Sequence, residues 1–163
     1  MRGLERAIEC NVKEIAVFAA ASEAFSQKNI NCSIDESLEK FKAVTQKALN
    51  HNIAVRGYIS CVAGCPYQGE VDFKNLCSIA QSLLDMGCYE ISLGDTIGVA
   101  TPTVTERLLT ELLKTIEPSK LAMHMHDTYD RAIDNIKQSL AMGISTIDSS
   151  VAGLGGCPYA KGA

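Results

Sequence analysis

The stretch KLAMHMHDTYDRAIDNIKQSLAMGISTIDS, residues 120–149, contains one full repeat of the fold. Its first part, 120–126, is a short apolar run, and 129–142 has apolar residues three and four apart. These patterns are typical of a buried strand and an amphipathic helix. Gly143 follows, where a left-handed residue closes a helix, and 144–149 is a second apolar run. The stretch therefore predicts a strand, a helix and another strand.

The same order recurs along the whole chain. Strands are predicted over 14–21, 53–60, 89–94, 120–126 and 144–149, and helices over 36–50, 73–86, 103–116 and 129–142. A strict alternation of strands and helices indicates a parallel sheet joined by right-handed crossovers. The predicted fold class is α/β.

Polar residues favour a closed barrel over an open sheet, although the periodicity fits both. Side chains that can take part in catalysis or ligand binding lie in or just after the predicted strands: Ser22, Glu23, Arg56, Ser60, Cys61, Asp95, Thr96, His124, His126, Asp127, Asp148 and Ser149. Such groups at the carboxyl ends of many strands are typical of a (β/α)8 TIM barrel. Eight units need about 250 residues. We therefore expect 1–163 to be a partial TIM-barrel catalytic domain with about five of the eight units, lacking the first strands and the C-terminal end.

Composition narrows the class of protein and its partners. The chain has 163 residues, 47% apolar and 21% charged, which predicts one soluble globular domain. A net charge of -4 without a run of Lys or Arg gives little support to a nucleic-acid or membrane-surface partner. No apolar stretch near the start approaches the roughly 20 residues that span a bilayer. Seven cysteines, an odd number, predict a reducing compartment.

His124 and His126 are the candidate metal ligands. Residues two apart on a strand share a face and lie roughly 6 to 7 Å apart along it, close enough to bind one ion. Met123 and Met125 then face the opposite, apolar side. The alternative is a pair of hydrogen-bonded histidines without a metal, which the pattern alone supports equally.

A glycine-rich segment and a carboxylate are the other candidates for chemistry. Several glycines surround Cys157, which predicts a mobile loop carrying a proton donor; an ordinary exposed thiol is the alternative. The segment 64–69 echoes this loop, although recurrent turn chemistry explains the echo equally well. Asp95 lies at the end of the third strand. There it either takes part in chemistry or serves the structure, by capping the helix that begins near Pro102 or by accepting hydrogen bonds from loop amides.

Together these motifs resemble the 3-hydroxy-3-methylglutaryl-CoA (HMG-CoA) lyase family over essentially the whole chain. The resemblance rests on Gly94-Asp95-Thr96-Ile97-Gly98, His124-Met125-His126-Asp127-Thr128-Tyr129, Asp148-Ser149-Ser150-Val151-Ala152-Gly153 and the glycine–cysteine loop, with further likeness in residues 20–33 and 56–61. The histidine and aspartate motifs also fit the wider superfamily of Claisen-type synthases. Gly-Leu-Gly-Gly-Cys-Pro-Tyr-Ala, residues 153–160, favours the lyase.

The resemblance implies a TIM-barrel enzyme that uses Mg²⁺ or Mn²⁺ to cleave HMG-CoA into acetyl-CoA and acetoacetate, in leucine degradation and ketogenesis. By resemblance, His124 and His126 bind the metal, His124 also belongs to the catalytic set, and Cys157 protonates the acetyl-CoA enolate. Asp95 is implied as an acid–base or positioning residue. Asn29, Ser33 and Arg56 match positions at the acyl-CoA end of the substrate. The family also implies a homodimer, in the mitochondrial matrix if eukaryotic and in the cytoplasm if bacterial.

Two features of the family pattern do not occur in these 163 residues. They are the Arg-Asp-Gly at the end of the first strand and a metal-binding Asn beyond the cysteine loop. We therefore expect the chain alone to be inactive, since two histidines leave most of a hard cation's coordination shell to water. The alternatives are a related acyl-CoA condensing synthase, a metal-dependent hydrolase with a His-x-His strand, and a truncated or binding-only remnant.

Overall fold

Five parallel strands form one sheet in the computed structural model, which describes residues 1–162. The strands are β1 (Glu14–Ala20), β2 (Ala54–Ser60), β3 (Ile91–Asp95), β4 (Leu121–Met125) and β5 (Thr146–Ile147). Their spatial order is β1-β2-β3-β4-β5, so every crossover advances by one strand in the same direction. The predicted α/β class and parallel sheet are confirmed.

Six helices accompany the strands. They are α1 (Arg2–Glu9), α2 (Glu23–Ile30), α3 (Ile34–Asn50), α4 (Phe73–Asp85), α5 (Pro102–Leu112) and α6 (Ala132–Ala141), with 3-10 turns at Pro118–Lys120 and Val151–Gly153. The four predicted helices are present, with ends shifted by up to four residues. Helix α2 was not predicted, because its buried residues Phe25 and Ser26 are adjacent and form no apolar stripe. The Ser22 hydroxyl, which accepts a hydrogen bond from the Phe25 N–H, starts this helix.

The fifth strand is shorter than predicted. Only Thr146 and Ile147 pair with β4, opposite Ala122 and Met123, and the Asp148 N–H donates one further bond to the Met123 carbonyl at 2.9 Å. Only part of the run 144–149 therefore pairs as a strand, and another part packs in the core. Ile144 is buried in the core before the strand begins.

The apolar core lies between the sheet and the helices. Alternate strand residues such as Val55, Ile91 and Met123 are fully buried there, against helix residues such as Leu83 and Leu108. Burying each aliphatic side chain contributes about 1.5–3 kcal/mol. Met123 thus lies on the apolar side, as its alternation with the two histidines predicted.

The opposite face of the sheet is polar and aromatic. Its side chains include Arg56 and Tyr58 from β2 and His124 from β4, and Tyr58 pairs in register with Ser92 of β3. Phe18 of β1 stacks on Tyr58 with ring centroids 4.7 Å apart and is 55% exposed. Side chains at the carboxyl end of this face form the candidate site.

Two findings concern the membrane and the thiols. Within residues 1–162, every helix is too short or too polar to cross a bilayer. All seven cysteines are free thiols, and Cys32, Cys61, Cys65 and Cys88 are buried.

Candidate active site

The two histidines at the end of β4 point their Nε2 atoms at each other. The Nε2–Nε2 distance between His124 and His126 is 3.3 Å, with the rings nearly perpendicular. The Nδ1 of His124 lies 3.1 Å from Asp148 Oδ2, and the Nδ1 of His126 lies 3.1 Å from the Thr96 carbonyl oxygen. Carboxylate and carbonyl oxygens only accept, so each Nδ1 carries the proton. In this neutral tautomer each ring directs an Nε2 lone pair at the same point.

This arrangement fits a divalent metal better than an isolated hydrogen-bonded pair. Two lone pairs 3.3 Å apart repel unless a cation or a proton lies between them. Two neighbouring ligands about 2.1 Å from an octahedral ion are roughly 3 Å apart, close to the observed spacing. Within residues 1–162, no third His, Cys, Asp or Glu side chain completes a metal-binding cluster. An octahedral ion held here would take two of its about six ligands from these histidines.

Asp148 holds His124 through a partly buried network of charged and polar side chains. Its carboxylate accepts hydrogen bonds from Ser92 Oγ at 2.7 Å and from Arg56 Nη1 at 2.8 Å, and Arg56 Nε donates to Glu90 Oε2 at 2.8 Å. Burial opposes ionisation of Asp148, but hydrogen bonds from Ser92, Arg56 and His124 outweigh it and lower the pKa of Asp148. The carboxylate facing His124 is therefore ionised at neutral pH.

Thr96 brings the cysteine loop to the histidines. Its carbonyl oxygen faces His126 Nδ1, and the half-buried Cys157 Sγ lies 3.9 Å from the same oxygen. The Thr96 hydroxyl in turn accepts a hydrogen bond of 2.7 Å from the backbone N–H of Cys61. Cys157 and His126 thus lie around one carbonyl oxygen, that of Thr96.

Asp95 has the geometry of the structural alternative: it binds loop amides, while Thr101 caps α5. Its side chain is fully buried, and its two oxygens accept hydrogen bonds from the backbone N–H groups of Val99 at 3.1 Å and Ala100 at 2.9 Å. Burial raises the pKa of Asp95, against the opposing effect of these amides. Asp95 fixes the turn that follows β3 and thereby the position of Thr96.

The three residues predicted for the acyl-CoA end lie in different places. Arg56 joins the histidine site through Asp148. Ser33 caps α3 in a capping box: its hydroxyl accepts from the Glu36 N–H at 3.1 Å, and its N–H donates to Glu36 Oε2 at 2.9 Å. Asn29 is exposed in the last turn of α2. Among the residues that the structure describes, no hydrogen bond joins Asn29 or Ser33 to the histidine site.

Sequence reasoning placed Asp148 and Thr96 at strand ends but assigned them no part in the site, and it missed Ser92 and Glu90. The available signal was alternation: Glu90 and Ser92 are two apart around β3, so they face the same side of the sheet. Ser92 contacts Asp148, 56 residues later in the chain, and Glu90 contacts Arg56, 34 residues earlier. Both contacts exist only after the sheet forms.

A model of the HMGL-like family matches residues 1–159. The chain belongs to the HMGL-like family. The resemblance seen in its motifs is thereby confirmed, and the histidine pair and cysteine loop lie within the matched region.

Three relatives that are similar to this HMGL-like chain are all named as HMG-CoA lyases. It is 59% identical, over its whole length, to 3-hydroxy-3-isohexenylglutaryl-CoA/hydroxy-methylglutaryl-CoA lyase of Pseudomonas aeruginosa, covering 54% of that protein. It is 53% identical to the mitochondrial and to the cytoplasmic HMG-CoA lyases of Rattus norvegicus, covering 50% and 48% of them. The chain spans about half the length of the curated relatives it matches.

Solved structures of the family have the same fold. The HMG-CoA lyase crystal structure from Pseudomonas aeruginosa superposes with a TM-score of 0.95 at 58% identity, over 98% of this chain and 53% of that one. An HMG-CoA lyase from Acinetobacter baumannii, solved with coenzyme A and 3-methylmalate, superposes with a TM-score of 0.90 at 28% identity, over 99% of this chain and 53% of that one. The predicted TIM-barrel class is confirmed, and residues 1–162 contain five consecutive strands of it. That 1–163 is one partial domain remains a prediction.

Proposed function

We propose that this chain carries the metal-binding and proton-donating part of an HMG-CoA lyase, which cleaves (S)-3-hydroxy-3-methylglutaryl-CoA into acetyl-CoA and acetoacetate. The observation that carries the proposal is the convergence of the His124 and His126 Nε2 atoms, with the Cys157 thiol on the Thr96 carbonyl that faces His126. The names of the relatives support the same reaction and an acyl-CoA substrate.

The metal is proposed to be Mg²⁺ or Mn²⁺, held by His124 and His126. When bound, a divalent cation polarises the hydroxyl and carboxylate oxygens of the substrate, which assists loss of the hydroxyl proton. Asp148 keeps His124 in the tautomer that can ligate, and Thr96 does the same for His126.

Cys157 is proposed as the acid that completes the reaction. When the bond between C2 and C3 breaks, its electron pair remains on C2 of the acetyl-CoA enolate, and the tertiary oxygen becomes the ketone of acetoacetate. The Cys157 thiol then transfers its proton to C2 and becomes a thiolate. The proton given up by the tertiary hydroxyl balances the one that restores the thiol, so the reaction moves one proton overall. A loop that excludes water at this moment leaves the thiol as the available acid.

Asp95 is proposed as a positioning residue for Thr96, because both its carboxylate oxygens are engaged with backbone amides. Arg56 is proposed to support the acyl-CoA end indirectly, since Glu90 and Asp148 already hold its guanidinium. The exposed Asn29 is the candidate for direct contact with the substrate. Ser33 shapes the same region by starting α3.

The experiment that tests the function is cleavage of HMG-CoA with Mg²⁺ or Mn²⁺, measured as acetoacetate. The 163-residue chain is compared with the product of the complete reading frame that encodes it, and we expect the chain alone to be inactive. In the active protein, Cys157→Ala and His124→Ala should each abolish most turnover. Cys10→Ala, which changes an exposed thiol of α1's C-terminal end, should leave it unchanged.

Activity that survives both site substitutions would contradict the proposal. Bond formation from acetyl-CoA and a keto acid without cleavage of HMG-CoA would favour the condensing synthase instead.

The assembly and the compartment are also proposals. We infer a homodimer, testable by light scattering of the purified protein. Relatives occur in bacteria, in mitochondria and in the cytoplasm. We propose the mitochondrial matrix for a eukaryotic source and the cytoplasm for a bacterial one, with a role in leucine degradation and ketone-body formation.

A further inference from the structure

Two turns with the same Cys-Pro-Tyr sequence meet in the folded chain. One is 65–67, between β2 and α4, and the other is 157–159, after β5. Each begins a small antiparallel bridge, from Cys65 to Gly69 and from Cys157 to Ala160. The rings of Tyr67 and Tyr159 are edge to face, with centroids 6.4 Å apart at 84°. The two copies of the Cys-Pro-Tyr sequence thus contact each other in the structure.

A third aromatic ring lies beneath the two tyrosines. Phe25 of α2, only 2% exposed, has its centroid 4.9 Å from that of Tyr159 and 6.3 Å from that of Tyr67. It belongs to a small apolar cluster, separate from the main core, with Ala20, Cys61 and Cys65. We name Phe25 and Tyr67 the aromatic seat, because they receive the ring of Tyr159.

Much of the glycine–cysteine loop outside this contact lies in solvent. Val151 is 82% exposed and Leu154 is 75% exposed. Cys157, two residues before Tyr159, has its thiol 3.9 Å from the Thr96 carbonyl oxygen. Because only two residues separate them, the location of the Tyr159 ring restricts the location of this thiol.

We propose that the aromatic seat positions the glycine–cysteine loop: docking of Tyr159 on Phe25 and Tyr67 holds the Cys157 thiol against the Thr96 carbonyl, the oxygen that faces His126. The proposal deepens the proposed function and rests on it only for the role of Cys157 as proton donor. Phe25 and Tyr67 are positioning residues, since they act on the reaction through Cys157. Glycines around the loop supply the freedom to leave the seat; Gly153 and Gly155 both have positive φ, and a Cβ on either would meet open space.

The strength of the seat suits a contact that forms and breaks. An aromatic pair in offset or edge-to-face geometry changes a population by roughly two- to tenfold beyond its buried area. The seat can therefore favour the docked loop and still release it. The nearby Tyr67 phenol also raises the pKa of Tyr159.

The test measures how fast iodoacetamide alkylates Cys157 in the protein made from the complete reading frame, by peptide mass spectrometry. Cys10, exposed at the end of α1, is the internal reference for thiol reactivity. Tyr67→Ala and Tyr159→Ala should each raise the rate at Cys157 relative to Cys10 by roughly three- to tenfold. Both rings are at the surface or half-buried, so these variants keep the buried Phe25 and should fold.

Two matched variants separate the seat from other causes. Tyr67→Phe keeps the ring and should stay within about twofold of the parent. Leu154→Ala changes an exposed residue of the same loop and should not alter the rate. Equal rates in the parent, Tyr67→Ala and Tyr159→Ala would overturn the proposal, and so would a rise in Tyr67→Phe as large as that in Tyr67→Ala.

The alkylation rate does not depend on turnover, which distinguishes this proposal from the function. If seat variants expose Cys157 while the parent protein cleaves no HMG-CoA, the seat is supported and the proposed function fails. If the parent is active, seat variants should lower kcat, and the fall should be larger in Tyr67→Ala than in Tyr67→Phe. A similar fall in both would speak against ring packing as the cause.

Discussion

Replacing Asp148 with Asn tests how His124 is presented to the proposed metal. Asp148 Oδ2 lies 3.1 Å from His124 Nδ1, and Oδ1 accepts from Arg56 Nη1 at 2.8 Å. In Asp148→Asn the single amide oxygen should remain with the Arg56 cation, because that is the stronger hydrogen bond. The amide NH₂ then faces His124. A donor at Nδ1 favours the tautomer that carries its proton on Nε2, which cannot ligate.

The size of the effect follows from the bond that is lost. To bind a metal, His124 must return to the tautomer with a proton on Nδ1, now opposite a donor instead of a carboxylate. A hydrogen bond to a charged group contributes about 1.5–3 kcal/mol. We therefore expect Mn²⁺ to bind about 10- to 100-fold more weakly, the range seen when a partner of a metal-binding histidine is removed.

The assay is titration with Mn²⁺, with the free ion measured by electron paramagnetic resonance. His124→Ala gives the signal expected when a ligand is lost. Ser92→Ala removes the 2.7 Å bond to Asp148 but leaves the carboxylate facing His124, so its affinity should fall by less than about fivefold.

Unchanged Mn²⁺ affinity in Asp148→Asn, together with a loss in His124→Ala, would refute the tautomer argument. If the unsubstituted protein binds no Mn²⁺, the metal proposal itself fails.

Three further predictions concern stability. Asp95→Ala leaves two buried backbone N–H groups without an acceptor and should lower the free energy of unfolding by about 2–4 kcal/mol, measured by urea denaturation; loss of turnover at unchanged stability would instead indicate a chemical role. Gly98→Ala should cost about 2 kcal/mol, because φ is +68° and the new Cβ would lie 2.8 Å from the Thr128 Cβ. The control is Gly3→Ala in α1, where the new Cβ would have no atom within 4 Å. This variant should raise the free energy of unfolding by about 0.5 kcal/mol. Equal melting temperatures for the two variants would contradict the steric argument. The pKa of Asp148 is lower in the folded state than its ordinary value of about 3.9. The stability it contributes is therefore present above about pH 4 and disappears as the pH falls through the folded-state pKa, so the difference in unfolding free energy between the parent and Asp148→Asn should shrink in acid.

Elements that bury an apolar stripe were predictable from the sequence. Helix α4 buries Leu76, Ile79, Ala80 and Leu83 at helical spacing, and its predicted range differs from the observed one by a single residue. Helix α2 was not predictable in this way, because a cap and its contact with a distant turn define it. Phe25 packs on Tyr67 and Tyr159, more than 40 and 130 residues away in the chain.

Some features of the candidate site were also predictable from the sequence, and others were not. His124 and His126 were paired correctly, since alternation on one strand is a local property. For Asp95 the sequence supported chemistry and a structural role equally, and its hydrogen bonds from the loop amides of Val99 and Ala100 favour the structural role. Ser33 matched a substrate position in the family, yet its hydroxyl caps α3.

The sequence by itself determined the α/β class, the succession of five strands along the chain, and the strand that carries the histidines. These depend on the period of apolar residues and on glycines at helix ends, which act within about 20 residues. Only the tertiary structure decided that Asp148 faces His124, that Arg56 neutralises Asp148 and that Tyr159 docks on Phe25. Each of these contacts joins residues far apart in the chain, and their distances are set by strand register and helix packing, which no local pattern specifies.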